Sequence, residues 1–364
     1  MADRERPLKR ILVVRTDRLG DVILTLPMFP LLRRCFPDAS IAVLIRRYTA
    51  ELLEGNPYID EVLWYDRDDG LVPFREMCAM LRARRFAAAV VVYPRFRLAW
   101  LMFRSGIPLR IGTGYRYYSP LFNRKVFEHR KDARRHEVEY NLRLLEEIGC
   151  TVPASWKPEF TIVVPDAVRA SIDGLLSSLG VASKKIVVLH PGSGGSAREW
   201  PLRSFGALAR RLADRGFAVL VTGTQDEEQK VRAVVSASGG TALSVAGKCS
   251  LKQLAALLQR AKLFVANSTG PLHLAVAMGT PVVGLYPQHT AMSATRWGPY
   301  TDKKAVLVPD RPIDCTACIE NETECECMAS LEVERVFRET INLMERVEGE
   351  KRALCDRERG VHAG

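Results

Sequence analysis

The sequence predicts an α/β protein of two domains, each a parallel β-sheet with helices on both faces. Three observations carry this. The chain has 364 residues, more than one hydrophobic core ordinarily serves. Short apolar runs alternate with helix-period segments, the pattern of βαβ units. That alternation stops in a polar stretch near the middle and then starts again.

In the first half, Arg10–Arg15 (RILVVR) reads as a buried strand, Thr16–Gly20 as its loop and Val22–Cys35 as a helix. Strands follow at Ile41–Ile45, Glu61–Tyr65 and Ala87–Tyr93, with helices at Thr49–Gly55 and Pro73–Arg85 between them. His136–Ile148 is a further helix, and the polar Gly149–Pro165 leads to the junction. The second half restarts with the strand Ile186–His190 and the glycine-rich loop PGSGGSAREW. Leu202–Arg215, Asp226–Ser236, Leu251–Arg260 and Pro271–Met278 read as helices. Strands alternate with them at Ala218–Thr222, Ser244–Ala246, Leu263–Ala266 and Pro281–Leu285. Glu332–Glu348 is a last helix. The expected domains are 1–170 and 181–330, with 331–348 crossing back to the first domain and 349–364 as a disordered tail.

Composition narrows the class. Hydrophobic residues make up 47% and charged residues 26%, which is globular and not disordered. No run of about 18 apolar residues predicts a spanning helix. The opening MADRERPLKR has no apolar core or cleavage site, so no signal peptide is expected. Cys35, Cys78 and Cys150 stand singly, as reduced thiols of a cytosolic chain would. The net charge is +11, and residues 82–143 carry all of it, with fifteen Lys/Arg against four Asp/Glu. Such a local excess points to an anionic partner: nucleic acid, an anionic membrane or a phosphorylated acceptor.

Four segments carry chemistry. In Asn267-Ser268-Thr269-Gly270-Pro271-Leu272-His273, a strand ends and a helix begins, with Pro271 at its first position. Helix N-termini offer unpaired N–H groups to anions, and small residues let a phosphate come close. An ordinary Ser/Thr cap is the alternative, and for His273, two residues into the helix, a structural role is the usual reading. The loop His190–Pro201 has three glycines, Ser193 and Arg198, a set suited to wrapping an anion. It is neither a Walker A loop nor a GxGxxG turn, and a plain surface loop is its alternative. Asp17 and Asp21 follow the first strand, at the sheet edge where α/β ligands bind. Asp21 reads as a general base or as a helix cap. Cys315-x2-Cys318-x6-Cys325-x-Cys327 brings four thiols together, but the Cys-x-Cys spacing suits a four-thiolate metal site poorly. We read them as loop thiols and assign no metal.

Together the segments resemble the bacterial ADP-heptose:lipopolysaccharide heptosyltransferases, glycosyltransferase family 9. The resemblance rests on Arg15-Thr16-Asp17-Arg18-Leu19-Gly20-Asp21 with Leu24-Thr25-Leu26-Pro27, and on the HPGSGG…REWP loop. It continues through Gly223-Thr224-x-x-Glu227-Glu228, Gly247-Lys248-x-Ser250-Leu251, NSTGPLH and Arg296-Trp297-Gly298-Pro299-Tyr300. These lie in family order over about residues 9 to 345.

The resemblance implies a GT-B architecture, two Rossmann-like domains with parallel sheets facing a central cleft. It implies inverting, metal-independent transfer with no cofactor. Asp21 would be the base. Thr269 and Gly270 would hold the diphosphate by their N–H groups, with His273 near it. Ser193 and Arg198 would approach the phosphates, Glu227 the ribose and Cys249 the adenine. Ser268 stands where the better known members have aspartate facing the sugar, and Arg198 where they have lysine. Both departures bear on the sugar and leave the nucleotide reading intact.

A basic first domain would suit a phosphorylated, lipid-linked glycan acceptor, with Arg18, Arg95, Arg97 and Arg116 as contacts. The implied place is the cytoplasm, on the inner face of the inner membrane. Phe96–Arg104 mixes large apolar and basic residues and could rest on that membrane. The simpler reading is a core helix with its arginines outside. Other classes remain as alternatives: a GT-B transferase using another nucleotide sugar for a different surface glycan, a GT-B epimerase, or a non-enzymatic nucleic-acid binder. The last leaves the two nucleotide-type loops without a role, so no nucleic-acid partner is expected.

Overall fold

The structure is a computed structural model that describes residues 8–310 and 325–361, with side chains described as far as Ala353. Its backbone packing divides it into two units, Met1–Val163 and Val164–Gly364.

Unit 1 runs β1 (Arg10–Val14), α1 (Leu19–Ile23), α2 (Met28–Cys35), β2 (Ser40–Ile45), β3 (Glu61–Trp64), then the small hairpin β4 (Asp66–Arg67) and β5 (Gly70–Leu71). It continues α3 (Phe74–Arg84), β6 (Ala88–Val91), α4 (Phe96–Arg104), β7 (Leu109–Thr113), β8 (Arg124–Val126) and α5 (Glu137–Glu146). The main sheet has the order β3-β2-β1-β6-β7-β8, all parallel. Its central strands are buried on both faces, which is why they read as unbroken apolar runs. The chain leaves β1 to one side and returns at β6 on the other. The β1 and β6 loops therefore part at a topological switch point.

The helix expected over Val22–Cys35 is two helices. Pro27 has no N–H to donate and disfavours helical backbone at Leu26, so α1 ends and α2 restarts on Pro27. Cys35 and Cys150, expected as separate thiols, form a disulfide with Cα atoms 5.7 Å apart. It ties the end of α2 to the segment after α5, 115 residues on. The compartment argument from reduced thiols does not hold for this pair, because their proximity is set by packing that spacing cannot show.

Unit 2 runs α6 (Asp166–Ser178), β9 (Ile186–His190), α7 (Leu202–Asp214), β10 (Ala218–Val221), α8 (Glu228–Ala237), β11 (Ala242–Ser244), α9 (Leu251–Arg260), β12 (Leu263–Asn267) and α10 (Gly270–Ala277). Then come β13 (Val282–Leu285), α11 (Ala294–Trp297), β14 (Lys304–Leu307), α12 (Glu326–Ala329) and α13 (Val333–Val361). Its sheet repeats the first in order, β11-β10-β9-β12-β13-β14, again all parallel. The switch point lies between β9 and β12. Both carry the glycine-rich segments, and His190 pairs with Ala266 where the strands end.

Helix α13 packs on the core of unit 2. Val336, Phe337, Leu343, Met344 and Val347 join that unit's core. Its backbone stays helical to Val361, past the point where a disordered tail was expected. Arg, Lys, Glu and Ala in Glu350–Arg359 are good helix formers. No helix among the described residues is long and apolar enough to cross a membrane. Cys315 and Cys318 lie outside the described residues. Cys325 precedes α12, and Cys327 is buried in it.

Candidate active site

Two groups of side chains gather at the two switch points, one in each unit. In unit 1 the centre is Arg15, buried at the end of β1. Its Nε donates to Asp17 Oδ1 at 2.8 Å, and its Nη2 to Asp21 Oδ1. Its Nη1 reaches Glu137 Oε1 at 3.3 Å and Asn141 Oδ1 at 3.4 Å, both on α5. Arg130 also donates to Glu137, at 2.5 Å. Burial alone would lower the Arg15 pKa, but Asp17, Asp21 and Glu137 outweigh it and hold the guanidinium charged. Asp21 occupies the first turn of α1, whose N-cap is Arg18. The cap reading of Asp21 therefore fails: its carboxylate pairs with Arg15, and its carbonyl accepts from Thr25 Oγ1 at 2.8 Å.

Asp17 and Asp21 share one guanidinium. Burial first, then the nearby Asp21 charge, raise the Asp17 pKa to about 7 against the pull of Arg15. The sign for stability follows. Unfolded, Asp17 loses its proton near pH 4; folded, it keeps it to about 7. The native state binds more protons in that window, so this contribution is complete below about pH 4 and is lost as pH rises to about 7. Asp17→Asn is expected to flatten the Tm–pH slope over that range and to raise Tm above pH 7 by a few degrees, on the order of 1–2 kcal/mol. A thermal-melt series with an unchanged slope would refute the assignment.

The arginines proposed for an acceptor divide. Arg18, Arg95 and Arg116 are exposed. Arg95 lies over the Tyr93 ring and donates to its hydroxyl. Arg97 turns away: its Nη2 donates to the Val72 carbonyl at 2.7 Å, and the guanidinium packs over Tyr65.

In unit 2 the loops after β9 and β12 are joined by Asn267, which is fully buried at the end of β12. Its Oδ1 accepts from the Trp200 N–H at 2.9 Å, and its Nδ2 donates to the Pro191 carbonyl at 2.7 Å. Trp200, also fully buried, donates through Nε1 to the Leu331 carbonyl at 2.9 Å. This clamp was quoted in NSTGPLH without a role, because its two partners are 67 and 76 residues away.

The α10 N-terminus follows directly. Thr269 is its N-cap, Gly270 its first residue and Pro271 its second, one place later than expected. The Thr269 hydroxyl makes no cap bond, is buried, and has no hydrogen-bond partner among the described residues. An ordinary threonine cap would bond to the helix it starts, so the cap reading fails for this side chain. Ser268 lies beside the buried Tyr286 phenol, whose hydroxyl donates to the Trp297 carbonyl at 2.8 Å. His273 is buried one turn into α10.

Across the switch point, Ser193 shapes the facing loop. Its hydroxyl donates to Glu199 Oε1 at 2.8 Å and receives the Gly195 N–H at 3.2 Å. Glu199 is held in turn by Lys230 at 2.6 Å. Gly194 and Gly195 both take positive φ (53° and 72°), which glycine adopts without strain. Arg198 is half-buried on the same loop. Glu227 packs against Gly192 so closely that a Cβ there would lie 2.0 Å from its Oε1. It also receives the Thr224 N–H at 3.0 Å, closing a capping box. His190, missed as a site residue, sits 3.9 Å from Glu227 and 3.0 Å from Thr222 Oγ1, and burial lowers its pKa. Cys249 is half-buried, and burial pushes its thiol up to about 11. It is thus a neutral contact surface at pH 7 and not a nucleophile.

Unit 2 therefore presents a helix N-terminus and a buried Thr269 hydroxyl beside a glycine-rich loop and the Glu227 carboxylate, and unit 1 presents a carboxylate pair on a charged arginine. Comparison with known proteins fits this arrangement. The sequence pattern of glycosyltransferase family 9 (heptosyltransferase) matches residues 74–329. A Haemophilus influenzae chain provisionally named a glycosyltransferase is 30% identical over 302 residues, 81% of this chain and 87% of that one. Lipopolysaccharide heptosyltransferase 3 of Escherichia coli is 27% identical over 276 residues, covering 73% and 80%. The solved ADP-heptose lipopolysaccharide heptosyltransferase II of E. coli superposes with a TM-score of 0.76 at 22% identity, over 93% of this chain and 99% of that one. The fold is thus the GT-B type. With more than half its length matched by the family pattern, the chain belongs to glycosyltransferase family 9 and is a glycosyltransferase.

Proposed function

We propose that the enzyme transfers a heptose from ADP-heptose to a phosphorylated, lipid-linked core glycan of the lipopolysaccharide type. The observation that carries the donor half is the buried Thr269 hydroxyl at the start of α10, unpartnered among the described residues, in a segment clamped by Asn267 to the glycine-rich loop. Such a hydroxyl, with the Thr269 and Gly270 amides and the helix dipole, suits a diphosphate. Arg198 and Ser193 complete the cradle, Glu227 takes the ribose hydroxyls and Cys249 faces the adenine. His273 lies behind the phosphates.

In the reaction, the acceptor oxygen attacks the anomeric carbon as the bond to the phosphate oxygen breaks, which inverts that carbon. The acceptor proton passes to Asp21. The charge left on ADP is offset by Arg198 and the α10 N-terminus, so no metal is required. Arg18, Arg95 and Arg116 meet acceptor phosphates or carboxylates; Arg97, committed to Val72, supports the fold. The chain works in the cytoplasm, against the inner face of the inner membrane. The names of the relatives support the heptose and the acceptor class.

The test is nucleoside diphosphate release from ADP-heptose, UDP-sugars and GDP-sugars with truncated lipopolysaccharide acceptors. Release from ADP-heptose alone is expected. A protein silent with every ADP-sugar would not be a heptosyltransferase. A second reading, another nucleotide sugar for a different surface glycan, is favoured by Ser268 on Tyr286; it predicts release from a UDP- or GDP-sugar. The non-enzymatic nucleic-acid reading falls with family membership.

A further inference from the structure

Helix α4 has two apolar faces. Leu98, Ala99, Leu101 and Met102 are buried in the unit 1 core. On the other side, Phe96, Trp100 and Phe103 keep the i, i+4, i+7 spacing that aligns residues along a helix. They are 48%, 37% and 44% exposed. Their rings stack in series, 6.4 Å from Phe96 to Trp100 and 5.6 Å from Trp100 to Phe103. Tyr117, 81% exposed, extends the row from the loop after β7, 5.9 Å from Phe96. A helix that is apolar all round is normally buried all round, and here the core covers one face only. A continuous exposed aromatic row of this kind marks a contact surface.

The surrounding charge identifies what it contacts. Arg104 lies 5.8 Å over the Trp100 ring and Arg110 5.4 Å over Phe103. Exposed Arg95 precedes Phe96, exposed Arg116 precedes Tyr117, and Arg82 donates to the Arg104 carbonyl at 2.7 Å. From Met77 to Phe127 the chain has ten Lys/Arg and not one Asp or Glu. Aromatic rings rimmed by arginines, in a stretch of chain without an acid, match the headgroup region of an anionic bilayer.

We propose that the outer face of α4, extended by Tyr117, seats on an anionic phospholipid bilayer, with its rings at the acyl–headgroup boundary and Arg82 and Arg104 on lipid phosphates. This rests on the membrane-surface reading above and names the surface that meets it. The placement serves the reaction. Phe96 follows β6 at the sheet edge where Asp21 follows the neighbouring β1, so a seated α4 keeps that edge against the lipid-linked acceptor.

Vesicle flotation without donor or acceptor tests it. The probes are phosphatidylcholine vesicles and phosphatidylcholine vesicles with about a quarter phosphatidylglycerol. The wild type is expected to float with the second and hardly with the first. The triple variant Phe96→Ser/Trp100→Ser/Phe103→Ser should lose at least about tenfold in partitioning while still melting cooperatively, since the α4 core face of Leu98, Ala99, Leu101 and Met102 is untouched. Arg82→Gln/Arg104→Gln should weaken the salt dependence. Equal flotation of wild type and triple variant would overturn this surface and leave the membrane reading standing. A wild type that does not float would overturn both, whatever nucleotide-release assays show. Activity separates a remaining competitor. The triple variant should lose turnover on vesicle-borne acceptor and keep it on the deacylated glycan; equal loss on both would make the row a sugar-stacking face and overturn the proposal.

Discussion

Asp21→Asn is expected to lower kcat by about three to four orders of magnitude, in the upper range for loss of a positioned general base, while donor affinity stays within about twofold. Asparagine keeps the shape and an acceptor oxygen for Arg15 Nη2, but it cannot take the acceptor proton. Arg15 retains Asp17, Glu137 and Asn141 as partners. Removing one of two carboxylates that crowd a single guanidinium relieves repulsion on Asp17, so the variant should melt no lower than the wild type. Lost turnover with an intact fold and intact donor binding is the signature of a base. If donor binding fell along with turnover, Asp21 would be positioning a substrate and not taking its proton. Calorimetric titration with ADP beside steady-state kinetics distinguishes these outcomes.

Asn267→Ala is expected to cost about 2–5 kcal/mol of stability, and a tenfold or greater loss of ADP affinity. Two buried groups, the Trp200 N–H and the Pro191 carbonyl, would lose their partners at once. Each such orphan costs on the order of 1–3 kcal/mol. For a domain of this size that lowers Tm by roughly 5–15 °C. The affinity loss has a separate cause. Asn267 is what holds the glycine-rich loop beside Thr269, so without it the cradle must be assembled at the expense of binding energy. Unchanged melting and unchanged ADP affinity in the variant would remove Asn267 from the site.

Much of the fold was legible because parallel strands buried on both faces leave an unmistakable trace. RILVV, IVVLH and LFVAN are nearly uniform apolar runs bounded by turn residues. Edge elements were harder. β8 (Arg124–Val126) and β14 (Lys304–Leu307) are short and carry exposed lysine or arginine, so their strand character comes from a neighbour's hydrogen bonds and not from their own pattern. Helix α6 hid in the stretch taken as the junction. The split of Val22–Cys35 is legible in Pro27, whose missing N–H outweighs the apolar period.

The site divides the same way. Residue type and order within NSTGPLH, the glycine-rich loop and the Asp17/Asp21 segment marked these three as anion or proton chemistry, because such chemistry needs small residues, free N–H groups and carboxylates within a few positions of each other. The sequence by itself determined the two parallel-sheet halves and singled out those three segments as candidates. What only the tertiary structure decided is which side chains are already spent on the fold. Arg97 is held by Val72 and Arg15 by a ring of acids, Cys35 is bonded to Cys150, and the Thr269 hydroxyl has no partner among the described residues. It also decided that α4 turns aromatic rings outward as well as arginines. Hydrogen-bond satisfaction and exposure depend on neighbours tens to hundreds of residues away, and a linear pattern holds no record of them.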